Sequence, residues 1–280
     1  MADDRPESPH EVPASPLSEA ISAAPLEPRV DDAPPRRVAL SVEGFSKTYD
    51  EHAAVRDLTF HVAEGEILGL VGANGAGKTT TLRSVAGILP LQYGSVSICG
   101  HDLVKSELQA KKCLAWIPDD PQPFESLTVD EHLRFAAAMY GVTDWRARAD
   151  QLLATFELTD KRTALGGELS RGMRQKLAFC CAWLHKPGVV LMDEPLSGLD
   201  PRGIRSAKDA IESLAREGSA VVLSSHLLEL IEELADRLLI VHKGQKVFLG
   251  TLAELRATFR GGHDGSLEEI FLAITEPKAG

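Results

Sequence analysis

The stretch "EILGLVGANGAGKTTTLRSVAGIL", beginning at Glu66, restricts the fold more than any other part of the chain. A continuous apolar run ending in glycines reads as a buried strand, the glycines as a tight loop, and "KTTTLRSVAGIL" as the helix that follows. "GANGAGKT", Gly72 to Thr79, fits G-x-x-x-x-G-K-[ST]. In that pattern glycines let the backbone close around phosphate oxygens with its N–H groups turned inward. Gly72, Ala73, Asn74, Gly75, Ala76 and Gly77 form the wrap, and Thr80 continues it into the helix. Lys78 is placed to reach the outer phosphates and the Thr79 hydroxyl to bind Mg²⁺.

A loop of this kind needs a parallel sheet behind it, and the rest of the chain supplies the strands. "CLAWIP", "GVVLMDEP" and "AVVLSSH" are short apolar runs, and the last two flank "PRGIRSAKDAIESLAREG", an amphipathic helix with Pro at its start and Gly at its end. Strands alternating with helices imply right-handed crossovers and a largely parallel sheet. Ahead of the loop, "VALSVEGF" and "VRDLTFHV" alternate, which predicts antiparallel strands over 38–62. From about 120 to 187 the pattern turns helical, and Thr128 with Glu131 forms a capping box that opens one helix. The expected fold is therefore α/β: a core of mostly parallel sheet, an N-terminal antiparallel β region and a helical insertion. Residues 1–37 hold half of the sixteen prolines and no aromatic residue, so a disordered tail is expected there, with a second short tail over 276–280.

Composition excludes several classes. A formal charge of −11 is wrong for a general nucleic-acid binder. No apolar run approaches the roughly 20 residues that span a bilayer, and the acidic, Pro-rich start is not a signal peptide. Cys99, Cys113, Cys180 and Cys181 form no C-x-x-C pair, and read as reduced thiols in a cytoplasmic protein.

Two acidic residues close the strand "VVLMD". Asp193, at its carboxyl end, can hold the metal, and Glu194 beside it is placed to polarise an attacking water. His226 ends another apolar run, from which a neutral imidazole could donate to a γ-phosphate. Tyr49 could stack on a base or simply pack in the core. A second candidate anion site opens "LSRGMRQKLAFCC", where Ser170 caps a helix carrying Gly172 and basic residues in its first turns. One nucleotide does not need two such sites.

The order "GANGAGKT", "LSRGM", "LMDEP", "SGLD" and a strand ending in His226 closely resembles the ATP-binding subunits of ABC transporters, over about residues 38–275. The resemblance implies a P-loop NTPase core in a head-to-tail dimer sandwiching two ATP, each held by one subunit's phosphate loop and the other's signature helix. Ser170, Arg171, Gly172 and Met173 then act on the partner's ATP, and Asp200 links the sites across the interface. Tyr49 matches the adenine-stacking aromatic, Glu194 the catalytic base and His226 the switch histidine. Two positions depart from the family pattern LSGGQ: Arg171 stands for a glycine and Met173 for the glutamine. A third departure puts Asp119 where the family has a Gln that contacts Mg²⁺ or water, so Asp119 is a candidate metal ligand beside Thr79 and Asp193.

What the resemblance implies is an ATPase that drives a separate transmembrane permease, with exporter-like signature and C-terminal segments, peripheral to the cytoplasmic face of the membrane. The partner ATP-binding subunit is a second copy or a related chain. A soluble ABC-type ATPase of translation or DNA repair is the alternative, and the chain has neither a second nucleotide domain nor sustained heptads. A small-molecule kinase or GTPase does not account for "LSRGM", and N-K-x-D is absent.

Overall fold

The computed structural model describes residues 36–258 and 267–275. Of the tails expected over 1–37 and 276–280, residues 1–35 and 276–280 lie outside the described residues, whereas Arg37 is tied to the sheet by its carbonyl, which accepts from the Glu64 amide at 2.8 Å. Strands β1 (Val38–Tyr49) and β2 (His52–Ala63) pair antiparallel from Val38 opposite Ala63 to Tyr49 opposite His52, as the alternation over 38–62 predicts. Leu40, Val42, Phe45, Leu58, Phe60 and Val62 turn inward along them. Strand β4 (Tyr93–Ile98) joins the other edge of β1, and β5 (His101–Asp102) closes a four-stranded sheet of order β2-β1-β4-β5. Gly94 lies where β4 crosses β1; a Cβ there would sit 2.4 Å from the Glu43 carbonyl oxygen, so no side chain fits.

The second sheet has six strands. Strands β3 (Ile67–Val71), β6 (Leu114–Ile117), β7 (Val189–Asp193), β8 (Ala220–Ser224) and β9 (Arg237–His242) run parallel, and β10 (Gln245–Gly250) adds an antiparallel edge. Their order is β10-β9-β3-β8-β7-β6. Strands β3, β7 and β8 are buried along their whole length, which is why each reads as an unbroken apolar run rather than an alternating one. From β3 the chain crosses to β6 on one side, and from β8 it returns over β3 to β9 on the other. The order thus reverses around β3, and a crevice for ligands opens outside the carboxyl ends of β3, β7 and β8.

Three helices precede or punctuate these crossovers: α1 (Lys78–Val85), α2 (Glu107–Lys112) and α6 (Pro201–Arg216). Between β6 and β7 the chain is helical, with α3 (Val129–Tyr140), α4 (Trp145–Thr155) and α5 (Arg171–Trp183). The Thr128 capping box forms: Glu131 N–H donates to Thr128 Oγ1 at 3.2 Å and Thr128 N–H to Glu131 Oε2 at 2.8 Å. Phe156, just past α4, stacks on Phe179 of α5 at 5.2 Å, and both rings meet Trp183. All three are sealed from solvent, so the helical part has an aromatic core of its own, continuous with the β6–β7 side of the sheet. Short helices α7 (Leu228–Leu234), α8 (Leu252–Thr258) and α9 (Leu267–Thr275) complete the described chain. Among the described residues no helix is long and apolar enough to cross a membrane.

One seam of this packing is acid-sensitive. His185, between α5 and β7, lies flat on Tyr140 with ring centroids 3.6 Å apart and planes at 6°. Burial, offset in part by the Leu114 carbonyl, pushes its imidazole down to about 4 from 6.5. A histidine with a depressed folded value binds protons more readily unfolded, so it costs nothing at neutral pH and destabilises the fold as pH drops below 6.5 toward 4. Discounted for its partial exposure, the loss by pH 4 is about 1–2 kcal/mol. Urea midpoints measured at pH 7 and pH 5 should fall further apart in the parent than in His185→Phe, which keeps a ring on Tyr140 and has no proton to gain.

Candidate active site

Strand β3 delivers the glycine loop to the crevice. Gly72 has no room for a side chain, since a Cβ there would stand 2.6 Å from the Val241 carbonyl oxygen on β9. Gly77 has φ +102° and faces the Ala54 carbonyl of β2 at 2.7 Å from where a Cβ would be. The loop is thus clamped between the two sheets, and its glycines are forced by contact as well as by backbone angle. Lys78, the first residue of α1, is 7% exposed, and its Nζ donates to the Gly72 carbonyl at 2.6 Å. Burial lowers its pKa below the usual lysine value, and the charges of Glu194 and then Asp193 pull it back up. The lysine and the two acids therefore share one electrostatic site. Thr79 is exposed at the loop's exit, while the next threonines turn inward, Thr81 Oγ1 donating to the Gly77 carbonyl at 2.9 Å.

Asp193 is buried at the end of β7, with Oδ1 accepting from the Ser224 hydroxyl of β8 at 2.6 Å. Glu194 follows with φ +48°, a left-handed conformation uncommon for a side chain of this kind. Its amide donates to the Ser224 carbonyl at 3.1 Å, so β8 holds the residue in that turn. The turn aims the carboxylate at His226: Oε2 accepts from the His226 backbone N–H at 3.1 Å and meets its Nδ1 at 2.7 Å. Two residues 32 apart in sequence, picked out separately from the ends of two apolar runs, are in direct contact.

The residues expected to hold Mg²⁺ suit it in part. A buried carboxylate whose Oδ2 has no hydrogen bond among the described residues, together with a free threonine hydroxyl, is a hard oxygen donor set of the kind a cation takes alongside phosphates and waters. No cluster of three or more His, Cys, Asp or Glu of metal-binding geometry exists among the described residues. Asp119 is engaged elsewhere, its Oδ1 accepting from Arg171 Nη2 at 3.2 Å.

The signature segment forms the start of α5. Ser170 is its N-cap, Oγ accepting from the Met173 amide at 3.3 Å. Gly172 faces the Gly198 carbonyl, 2.8 Å from where a Cβ would be, which binds the helix start to the turn after Glu194. Asp200 caps α6, accepting from the Gly203 amide at 3.1 Å, and lies 3.8 Å from Lys176 of α5. No hydrogen bond or ion pair joins Ser170–Met173 to residues 72–80 among the described residues. Tyr49 ends β1 beside the β2 turn and is 43% exposed, with the Lys47 ammonium 5.6 Å from its ring, so it is not a core residue.

Two contributors escape a reading of sequence. Ser224 orients Asp193 and Glu194 together, and nothing distinguishes it from Ser225 before the pairing of β7 with β8 is known. Gln175 is fully buried on α5 and donates to the Pro195 carbonyl at 2.9 Å, tying the helix to the residue after Glu194. A glutamine four positions after Arg171 on one helix face was the available signal.

The profile of the family described as "ABC transporter" matches residues 55–197. The ABC-type transporter ATP-binding protein EcsA of Bacillus subtilis (strain 168) is 32% identical over 243 residues, 86% of this chain and 98% of that one. The Nod factor export ATP-binding protein I of Burkholderia pseudomallei (strain 1710b) is 37% identical over 75% of this chain and 70% of its own length. A solved structure described as the ATP-binding subunit of an ABC transporter superimposes with a TM-score of 0.82 at 34% identity, covering 85% of this chain and all of that one.

Proposed function

The chain belongs to the ABC transporter ATP-binding family, and on that premise we propose that it hydrolyses ATP between two head-to-tail ATP-binding subunits to drive a separate permease. The observation that carries this is the convergence of Lys78, Asp193, Glu194 and His226 at the ends of β3, β7 and β8. The loop amides and Lys78 bind and orient the phosphates, and Tyr49 offers its exposed ring to the adenine. Thr79 and Asp193 would hold Mg²⁺, which when bound neutralises phosphate charge. Glu194 takes a proton from the water that attacks the γ-phosphorus in line as ADP leaves. His226 fixes the Glu194 carboxylate through Nδ1 and points its other nitrogen's chemistry at the γ-phosphate. Since no hydrogen bond or ion pair joins the signature to its own chain's loop among the described residues, we assign it to the partner's nucleotide.

The permease side is supported by a groove of about 610 Å³ away from the nucleotide crevice. Trp116, Phe124, Phe135 and Met139 line it together with Lys112 and Arg174, and its lining includes no acidic side chain despite the net charge of −11. That combination fits an amphipathic cytoplasmic helix of the permease with an apolar face and acidic flanks. The family's relatives include one named for Nod factor export, which favours export as the direction, and a permease-bound chain is peripheral to the cytoplasmic face of the membrane.

The test is affinity purification of the full-length chain from membranes of its own cells. A polytopic partner is expected to co-purify. Phe135→Glu, which places a charge in the groove, should weaken retention of that partner by about 30-fold or more. ATP binding by the isolated chain should stay at the parental level. Retention unchanged in Phe135→Glu would move the docking site elsewhere, and capture of only soluble factors would overturn the transporter role.

A further inference from the structure

Arg171 and Asp119 depart from the family pattern separately in sequence, yet they meet in space. A single nitrogen of Arg171, Nη2, divides its two hydrogens between Asp119 Oδ1 at 3.2 Å and the Ser197 hydroxyl at 2.9 Å. Its stem lies across Gly198, whose φ of +78° and missing side chain make the space: a Cβ there would be 3.0 Å from Arg171 Cδ. One helical turn on, Arg174 approaches Asp120 at 3.8 Å, so consecutive acids are held by two arginines on one face of α5. Pro118, Pro121, Gln122 and Pro123 flank those acids, and all four line the apolar groove. On the other side, the Ser197 amide donates to the Glu194 carbonyl at 3.1 Å, and Gln175 holds Pro195.

We propose that Arg171 is a positioning residue that links the lip of the groove, through Asp119, to the turn carrying Glu194, through Ser197. The inference rests on the ATP-driven reading above and names a regulation of that site: a helix seated in the groove shifts Asp119, and the shift reaches the Glu194 peptide through one guanidinium. The Asp119 arm is half exposed, so it is weak and salt-screened alone, and the Ser197 arm is a single hydrogen bond to a neutral hydroxyl. The link works because helix, turn and lip are short, packed segments that cannot yield independently. Asp119 is on this account an anchor for Arg171, which explains why an acid stands there.

Cutting each arm while leaving Arg171 in place separates this role from any direct pull of Arg171 on a partner's phosphates. In the full-length Glu194→Gln chain, amide hydrogen exchange over Asp119–Leu127 is compared with and without ATP, and the change is divided by the dimer fraction read from gel filtration. ATP is expected to slow exchange there. Adding Asp119→Asn or Ser197→Ala should shrink that ATP-dependent change by about two- to fivefold, and 1 M salt should do the same to the parent. Both variants keeping the full change would overturn the link, as would a parent whose lip ignores ATP. If that parent also shows no ATP-dependent dimer, the shared-nucleotide reading has failed first; if it dimerises normally, the link alone has failed.

Discussion

Glu194→Gln is expected to lower steady-state ATP hydrolysis by about 10²–10⁴-fold while leaving ATP binding intact. The substitution keeps nearly every contact of the side chain. Its carbonyl oxygen, standing in the place of Oε2, can still accept from the His226 backbone N–H, now at 3.1 Å, and from Nδ1–H, now at 2.7 Å. The backbone turn depends on the Ser224 carbonyl and not on the side chain, so the left-handed φ persists. What disappears is the ability to take a proton from water and the negative charge beside Lys78. Losing that charge leaves Lys78 freer for phosphate, so affinity for ATP should hold or rise. Rapid-quench measurement of phosphate release, with retained radiolabelled ATP counted on the same samples, separates the two effects. Hydrolysis within tenfold of the parent would take the base role away from Glu194 and reassign it to a water network. His226→Ala should cost less in single turnover, because the Glu194 carboxylate keeps its backbone donor at His226.

The candidate site was legible in sequence where backbone chemistry dictates residue type. Gly72 and Gly77 leave no room for a side chain, Asp193 ends a run whose burial made it apolar throughout, and Lys78 opens the helix after the loop that follows another such run. The capping box at Thr128 and the proline that starts α6 were equally readable, since both are local. What could not be read depended on which strands became neighbours. The contact of Glu194 with His226 exists because β7 pairs with β8 in a register that puts Asp193 opposite Ser224. The Arg171–Asp119 pair spans 52 residues, so no local pattern in the sequence announces it. Strand β4 escaped for a different reason. Its buried positions, Val96 and Ile98, are only two, and exposed Tyr93 and small residues hide the alternation. Tyr49 was undecided between core and surface because a strand end has no periodicity left to read; its exposure follows from the turn at residues 50–51.

The second large effect follows from the separation of the signature from the loop within one chain. Lys78→Ala removes the cation that β3 and α1 bury among the phosphate-binding amides, and Ser170→Arg replaces the cap of α5 with a long cation. Alone, each is expected to lower hydrolysis by about 10²-fold or more, because in the proposed symmetric dimer either lesion falls on both nucleotides. Mixed, the two lesions meet at one nucleotide: the loop of the Lys78→Ala subunit faces the signature of the Ser170→Arg subunit. The other nucleotide meets an intact loop and an intact signature. Random pairing then restores about a quarter of the parent's sites, half of the dimers having one good site of two. Placing both variants on a Glu194→Gln background and counting retained ATP reads those sites without requiring both to turn over. A mixture that retains no more ATP than either variant alone would mean that loop and signature act on the same chain's nucleotide. Two anion-binding helix starts in one subunit would then be without a purpose, and the gap between Ser170–Met173 and residues 72–80 would have to close by a motion of α5 against the sheet.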